Sequence, residues 1–371
     1  MSIKTNNLTE ILLTQDIPAA LQEVFTQLSA AMAVDKLGNG LINKTWRVHC
    51  PDRSYILQRI NDQVFRDPFI IENNLKKIAA YLGLYYPDYY LPLPLAATDG
   101  KTMLYKSGTG YFRLFDFLEG SVCNTIISNT KQAYEAARQF GGFTRRLSGL
   151  PVEQLGEPIP DFHNLKLRYQ QFEKAVPQAS PERLQKASLL VDFIKEHAYI
   201  FEQYNYLRKN GSMILRPMHH DTKISNILFD VRDKGMAVID LDTVMPGYFI
   251  SDLGDMIRTF TCTANEEETD FNKVTIRKDF FEAIVNGYLL EMKDILTASE
   301  RSLLVYAGEC MIYMQCLRFA TDYLENDRYY GAKYPGQNLN RALNQMKLLQ
   351  ELIKAKPVLE KIIADVFYRI K

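Results

Sequence analysis

The stretch from His219 to Arg258 leaves this chain few ways to fold. It runs HHDTKISNILFD, a short charged turn, MAVIDLDTVMPG and then SDLGDMIR. Five aspartates, Asp221, Asp240, Asp242, Asp252 and Asp255, stand around two apolar runs, Ile227-Leu228-Phe229 and Ala237-Val238-Ile239. Short apolar runs flanking a polar turn predict a hairpin. Carboxylates at the ends of buried strands are costly unless something pairs with them. A metal ion together with a phosphate is the partner that suits so many acids.

The spacing sharpens that expectation. Asp221 is followed five residues later by Asn226, in a loop before a strand, and this resembles the catalytic loop of kinases. A carboxylate there accepts or orients the proton of an attacking hydroxyl. A neutral amide oxygen binds Mg²⁺ without adding negative charge beside a polyphosphate. Lys223 is placed to neutralise a transferring phosphoryl group. Asp240 ends the second strand and Asp242 follows two residues later, so both carboxylates can face one site. The plain alternative, a hairpin with polar ends, must account for all of these features together.

Around this stretch the periodicity changes along the chain. Residues 9–32 alternate at helical spacing with Pro18 as an interruption, and residues 34–60 read as strand, glycine-rich turn, strand, tight turn, strand. A helix is predicted over 68–84, then strands over 102–105 and 111–117. Helices follow over 130–149, from Ser180-Pro181 to Asn210-Gly211, and over 297–326, with two more in 338–371 split at Pro357. This order predicts an α+β fold of two lobes, 1–117 and 118–371, with a cleft between them. Lys+Arg and Asp+Glu are 44 each, so no net field draws nucleic acid or an anionic membrane. No apolar run reaches the ~18 residues of a membrane span. Five scattered cysteines without a CxxC pair and an N-terminus without a signal-peptide pattern point to the cytoplasm.

Taken together, the pattern resembles the aminoglycoside phosphotransferase and choline kinase group of small-molecule kinases. Asp240-Leu241-Asp242 stands where protein kinases carry Asp-Phe-Gly, and Asp252-Leu253-Gly254-Asp255 resembles the group's further aspartate motif. More narrowly, YILQRIN (55–61), IPDFHNLKLRY (159–169), HHDTKISNILFD, DLDTVMPG and RFATDYLENDRYY (318–330) resemble the N-acetylhexosamine 1-kinase branch. The resemblance runs from about residue 37 to residue 330. It implies a protein-kinase-like two-lobed fold, with a small β-rich N-lobe and a large, mainly helical C-lobe. It also implies ATP as co-substrate with Mg²⁺, and a sugar acceptor phosphorylated at its anomeric hydroxyl.

Carried over, Asp221 would be the catalytic base and Lys223 a phosphate contact. Asn226 and Asp240 would hold Mg²⁺, Asp242 would touch metal or sugar, and Asp252 would brace the loop. Asp255 has no assigned task. Gly38-Asn39-Gly40 would cover the nucleotide phosphates, and residues 115–120 would offer backbone groups to adenine. The strand lysine of protein kinases is missing: residues 54–61 offer Gln58 and Arg59, of which Arg59 carries the charge phosphates want, with Glu72 as its partner. For the sugar, the resemblance implies Arg318 and Tyr329 as the leading contacts, with His163 and Arg168 nearby; an arginine fork can hold hydroxyls or a carbonyl, and aromatic rings stack on pyranose faces. A helix-end salt bridge from Arg318 to Asp322 is the plain alternative. Leu41 stands where the branch often has histidine. A choline, aminoglycoside or other sugar kinase is the second reading, and a non-catalytic nucleotide-binding protein the third.

Overall fold

The computed structural model describes Ile11–Leu12, Leu21, residues 24–37 and residues 43–370. Its contacts divide the chain into two units, residues up to Ser121 with Gly156–Ile159, and Val122–Leu155 with Pro160 onward.

The first unit is an antiparallel sheet with one long helix. Its strands are β1 (Ile11–Leu12), β2 (Ala33–Leu37), β3 (Lys44–His49), β4 (Ser54–Ile60), β5 (Leu104–Lys106) and β6 (Gly110–Asp116), in the order β1-β2-β3-β4-β6-β5. Alternation along each strand puts Val34, Val48, Tyr55, Leu57, Phe112 and Leu114 on one face, where they pack with Leu21, Phe25 and Leu28. Between β4 and β5 lies α1 (Pro68–Tyr85), with Pro68 in its first turn and the Asp67 side chain accepting from Phe69 N. Its apolar stripe, Ile71, Leu75, Ile78 and Leu82, is buried. Asn74 on the same helix clamps Gly156 through two 2.9 Å hydrogen bonds, which ties the 156–159 segment to this unit. The helical reading of residues 9–32 lies largely outside the described residues. Where they are described, Ile11–Leu12 is a strand and Thr26–Ala30 a 3₁₀ turn.

The second unit is mainly helical. It holds β7 (Val122–Cys123), α2 (Thr130–Leu147), α3 (Leu165–Gln178), α4 (Pro181–Lys186), α5 (Ser188–Glu196), α6 (Tyr199–Lys209), β8 (Arg216–Met218), β9 (Ile227–Phe229), β10 (Gly235–Val238) and β11 (Met245–Gly247). Then come α7 (Phe249–Thr261), α8 (Lys278–Met292), α9 (Ala298–Arg301), α10 (Leu304–Leu324) and α11 (Gln337–Arg369). Two small sheets, β10-β9-β7 and β11-β8, are set among these helices. α10 is buried along nearly its whole length. Among the described residues no helix is long and apolar enough to cross a membrane.

Three helix boundaries differ from the sequence reading. The expected single helix from Pro181 to Asn210 is three, broken at Ala187 and His197, both near φ −97°, ψ 5–15°. The His197 ring bonds the Phe193 carbonyl at 2.8 Å, and Tyr313 of α10 donates to the Ile194 carbonyl near that helix end. The helix over 297–326 is interrupted after α9, which carries a capping box between Thr297 and Glu300. Conversely, Pro357 does not split the last helix: α11 runs straight through it. Proline costs a helix interior about 3 kcal/mol. Burial of Leu348, Leu349, Leu352 and Leu359 on either side of it offsets that cost.

Candidate active site

The β9–β10 hairpin sets the geometry. Ile227 pairs with Val238, and the next rung is Ile239 N–H to the Asn226 carbonyl at 2.9 Å. Asn226 and Asp240 therefore leave the hairpin at the same end. Asp240 turns there into left-handed backbone, φ 59°, ψ 56°. The Asn226 amide is held by two donations from Nδ2, to the Asp221 carbonyl at 2.8 Å and to Asp221 Oδ2 at 3.0 Å. Lys223 Nζ donates to the same oxygen at 2.7 Å and lies 3.9 Å from Asp240 Oδ2. Burial pushes the Asp221 carboxyl up, but the Lys223 ammonium, His219 and the Asn226 amide outweigh it and hold it below its ordinary value. Burial acts downward on the Lys223 ammonium, and Asp221 and Asp240 more than reverse it. The pair is thus a carboxylate and an ammonium at neutral pH.

A second layer holds this loop from below. Asp252, on the first turn of α7, accepts from His219 N–H at 2.9 Å and His220 N–H at 2.7 Å. Burial, with Asp255 and Asp221 nearby, pushes Asp252 up to about 7 against those two donors. Asp255, which the sequence left without a task, accepts from Arg258, and Arg258 reaches Glu266, which also takes Arg341 of α11. The His219 ring bonds the Ile239 carbonyl at 3.0 Å through Nε2, and its Nδ1 accepts from Asp221 N–H at 3.3 Å. A neutral ring donating at Nε2 fits both contacts, so His219 links Asp221 to the strand that delivers Asp240. Sequence reading passed over His219. Its position two residues before Asp221 was the available signal, but its partner lies 20 residues away.

Hard oxygen donors gather beside this loop. The Asn226 donations come from its nitrogen, which leaves the amide oxygen pointing away from Asp221, and Asn226 and Asp240 stand at the same hairpin end. Asp242 is buried two residues further on. Among the described residues no cluster of three or more His, Cys, Asp or Glu could cage a metal alone. An amide oxygen with one or two carboxylates fits Mg²⁺, which keeps much of its shell for water and phosphate.

An aromatic and cationic group lies against His220, the residue before Asp221. His220, at φ 65°, places its Nδ1 3.2 Å from His163 Nδ1. Its ring fills the space a side chain at Gly247 would need, since a Cβ there would come within 2.4 Å of it. His163 stacks on Phe162 at 4.4 Å, and the Arg318 guanidinium lies 5.5 Å from the Phe162 ring. Arg318 also faces Tyr329 and Tyr330, at 5.8 and 5.4 Å. The structure thus brings His163, Arg318 and Tyr329 into one neighbourhood. The alternative salt bridge is not made: Asp322 instead accepts from Tyr329 N–H at 2.6 Å, Tyr330 N–H at 3.0 Å and Asn338 Nδ2 at 3.0 Å. That carboxylate folds the 326–330 turn, which presents the two tyrosines.

In the first unit, Gly38, Asn39 and Gly40, with Leu41, lie outside the described residues. Arg59 and Glu72 are not brought together. Glu72 accepts from Thr102 Oγ1 at 2.7 Å and pairs with Lys76 at 3.0 Å. Strand alternation puts Arg59 on the face of Tyr55 and Leu57, which is the core face. Gln58 points the other way, where its Oε1 accepts from Arg113 Nε at 3.1 Å and Nη2 at 2.9 Å. Arg113 is 1% exposed and was not singled out from sequence, because its partner strand is far along the chain.

Solved structures that resemble this chain include three kinases. An aminoglycoside phosphotransferase from Alicyclobacillus acidocaldarius superposes with TM-score 0.60 at 13% identity, covering 93% of this chain and 97% of that one. A microcompartment-associated aminopropanol kinase gives 0.59 at 14%, covering 92% and 97%. A Plasmodium vivax ethanolamine kinase gives 0.54 at 14%, covering 88% and 84%. At these identities the likeness establishes the kinase-like fold. The sequence match to a family extends over residues 34–277, from the first long strand through the whole hairpin and α7, and on it the chain belongs to the APH phosphotransferase enzyme family.

Proposed function

We propose that this protein is an ATP- and Mg²⁺-dependent kinase that phosphorylates the anomeric hydroxyl of an N-acetylhexosamine. The observation that carries the phosphoryl-transfer part is the Asp221 carboxylate, held 2.7 Å from Lys223 and 3.0 Å from Asn226 at the hairpin end that also delivers Asp240. Asp221 would accept the proton of the acceptor hydroxyl. Lys223, released from Asp221 as the proton arrives, would meet the charge on the transferring group. Asn226 and Asp240, with Asp242 beside them, would hold the metal, which when bound neutralises phosphate charge. The kinase fold and the family support this reading, as do two proteins of the same fold, a spectinomycin phosphotransferase that binds ADP and an amicoumacin kinase that binds AMP-PNP.

The sugar assignment rests on the group around His163, Arg318 and Tyr329. Flat aromatic faces and an arginine without a carboxylate partner suit a pyranose bearing an amide. Purified protein with MgATP and a panel of N-acetylhexosamines, hexoses, choline and aminoglycosides tests it. ADP release and a sugar 1-phosphate are expected with N-acetylglucosamine or N-acetylgalactosamine. Turnover confined to an amino alcohol would remove the sugar assignment and leave the kinase assignment standing.

A further inference from the structure

The group around His163 carries two guanidiniums, those of Arg318 and Arg168, that form no salt bridge among the described residues. Arg318 donates only to neutral oxygens, Gln315 Oε1 at 3.3 Å and Tyr329 OH at 3.5 Å, both long for hydrogen bonds. Arg168, on the first turn of α3, donates to the Asp161 and Phe162 carbonyls and to Gln171 Oε1, and its buried Nε has no partner. Of the acids close to them, Asp161 acts on Arg168 through space while its Oδ1 accepts from Asn164 Nδ2 at 2.7 Å, and the others are committed elsewhere. Asp322 is spent on the Tyr329 and Tyr330 N–H groups and Asn338, Asp255 on Arg258, and Glu266 on Arg258 and Arg341. His163 sits among His220, Arg318, Arg168 and Arg258; burial first, then these like charges, hold it well below its ordinary value, so it stays neutral. His220, its hydrogen-bond partner, is also the residue next to Asp221. The two guanidiniums therefore adjoin the loop that would receive the acceptor hydroxyl.

We infer that the acceptor is uncharged or anionic where it meets Arg318 and Arg168, that these residues take a carbonyl or carboxylate oxygen, and that an ammonium group there is refused. This deepens the sugar reading and rests on the acceptor binding beside His163. The physical reason is charge: two guanidiniums facing a partly dry site attract an oxygen and repel a second cation. An amine on the same skeleton loses the attraction and meets the repulsion, so the discrimination should be large. Tyr329 is 66% exposed, so its ring is accessible to a ligand.

Matched pairs decide it. The full-length protein with MgATP is assayed with 2-acetamido and 2-amino forms of the same hexose, near pH 6.5 where the amine is protonated. We expect kcat/KM for the acetamido sugar to exceed that for the amine by about 100-fold or more. Arg318→Glu should lower the first, raise the second and narrow the ratio to below about tenfold, while Arg318→Met should act on the acetamido sugar chiefly through KM. Equal kcat/KM for the two forms, or a ratio unmoved by Arg318→Glu, overturns the inference. If neither sugar turns over, the sugar reading fails, and thermal shift in MgADP then decides the charge class. Stabilisation by a hexuronate or an N-acetylated sugar, lost in Arg318→Glu, upholds it. Stabilisation by choline, ethanolamine or an aminoglycoside, or by none of these compounds at millimolar concentration, overturns it.

Discussion

Asp221→Asn should lower kcat by about 10²–10⁴, the range a positioned general base supplies, with the protein folded and nucleotide binding retained. Asparagine has the shape of aspartate, and its amide oxygen can still accept from Lys223 and Asn226, which both donate to Asp221 Oδ2. What it lacks is a basic carboxylate. The wild-type pH profile should carry the same signature. The folded pKa of Asp221 lies below its unfolded value, so its charge, and the stability it contributes, are present above about pH 4 and are lost as pH falls through the folded pKa. Activity should therefore be independent of Asp221 titration around neutrality and fall only in acid. Stopped-time ADP assays on the variant, with nucleotide affinity measured in parallel, check this. Unchanged turnover would take the role of base away from Asp221.

Gly254→Ala should be among the most damaging single-methyl additions in the second unit. A Cβ at 254 would lie 2.2 Å from the Ala307 carbonyl oxygen and 2.5 Å from Met311 Cγ. Both belong to α10, and Ala307 is fully buried. A methionine tip can swing aside, but a backbone carbonyl inside a helix cannot, so α7 must back away. Overpacking of this kind costs about 3 kcal/mol or more when backbone has to move. The displaced helix carries Asp252, whose carboxylate holds the His219 and His220 N–H groups. Calorimetry should show Tm lower by roughly 5 °C or more, and kcat should fall at temperatures where the variant is still folded. A Tm within about 1 °C of the wild type would mean that the helices separate freely.

How far these features could be read beforehand depended on how local their causes are. The hairpin, the common end shared by Asn226 and Asp240, and the serine cap with Pro181 follow from residues within a turn or two of each other. Glu72 shows the opposite case. Its charge invited an arginine, yet its partners are Lys76, one helical turn on, and Thr102, thirty residues away. Strand alternation required only that Gln58 and Arg59 face opposite ways; which one faced the core depended on Leu21, Phe25 and Leu28 packing on one side. Arg318 and Asp322 have ideal helical spacing for an ion pair, and backbone N–H groups of the following turn took the carboxylate instead. Pro357 looked like a break because the cost of proline is local and the burial that offsets it is not. Asp255 and Arg258 are an i,i+3 pair, but the reach from Arg258 through Glu266 to Arg341 had no sequence signal, since those residues come together only in the folded chain.

The left-handed backbone at Asp240 sets stability against function at a single residue. That conformation costs a residue other than glycine about 1–2 kcal/mol, and aspartate bears it better than most. Glycine would be the more comfortable occupant and would leave no carboxylate at the hairpin end. Asp240→Gly should therefore melt no lower than the wild type, or higher, while losing turnover, whereas Asp240→Asn keeps the backbone and removes only the charge. On the proposed metal-holding role, this position would set chemistry against the fold: a chain kept for thermal resistance alone would be better served by glycine here.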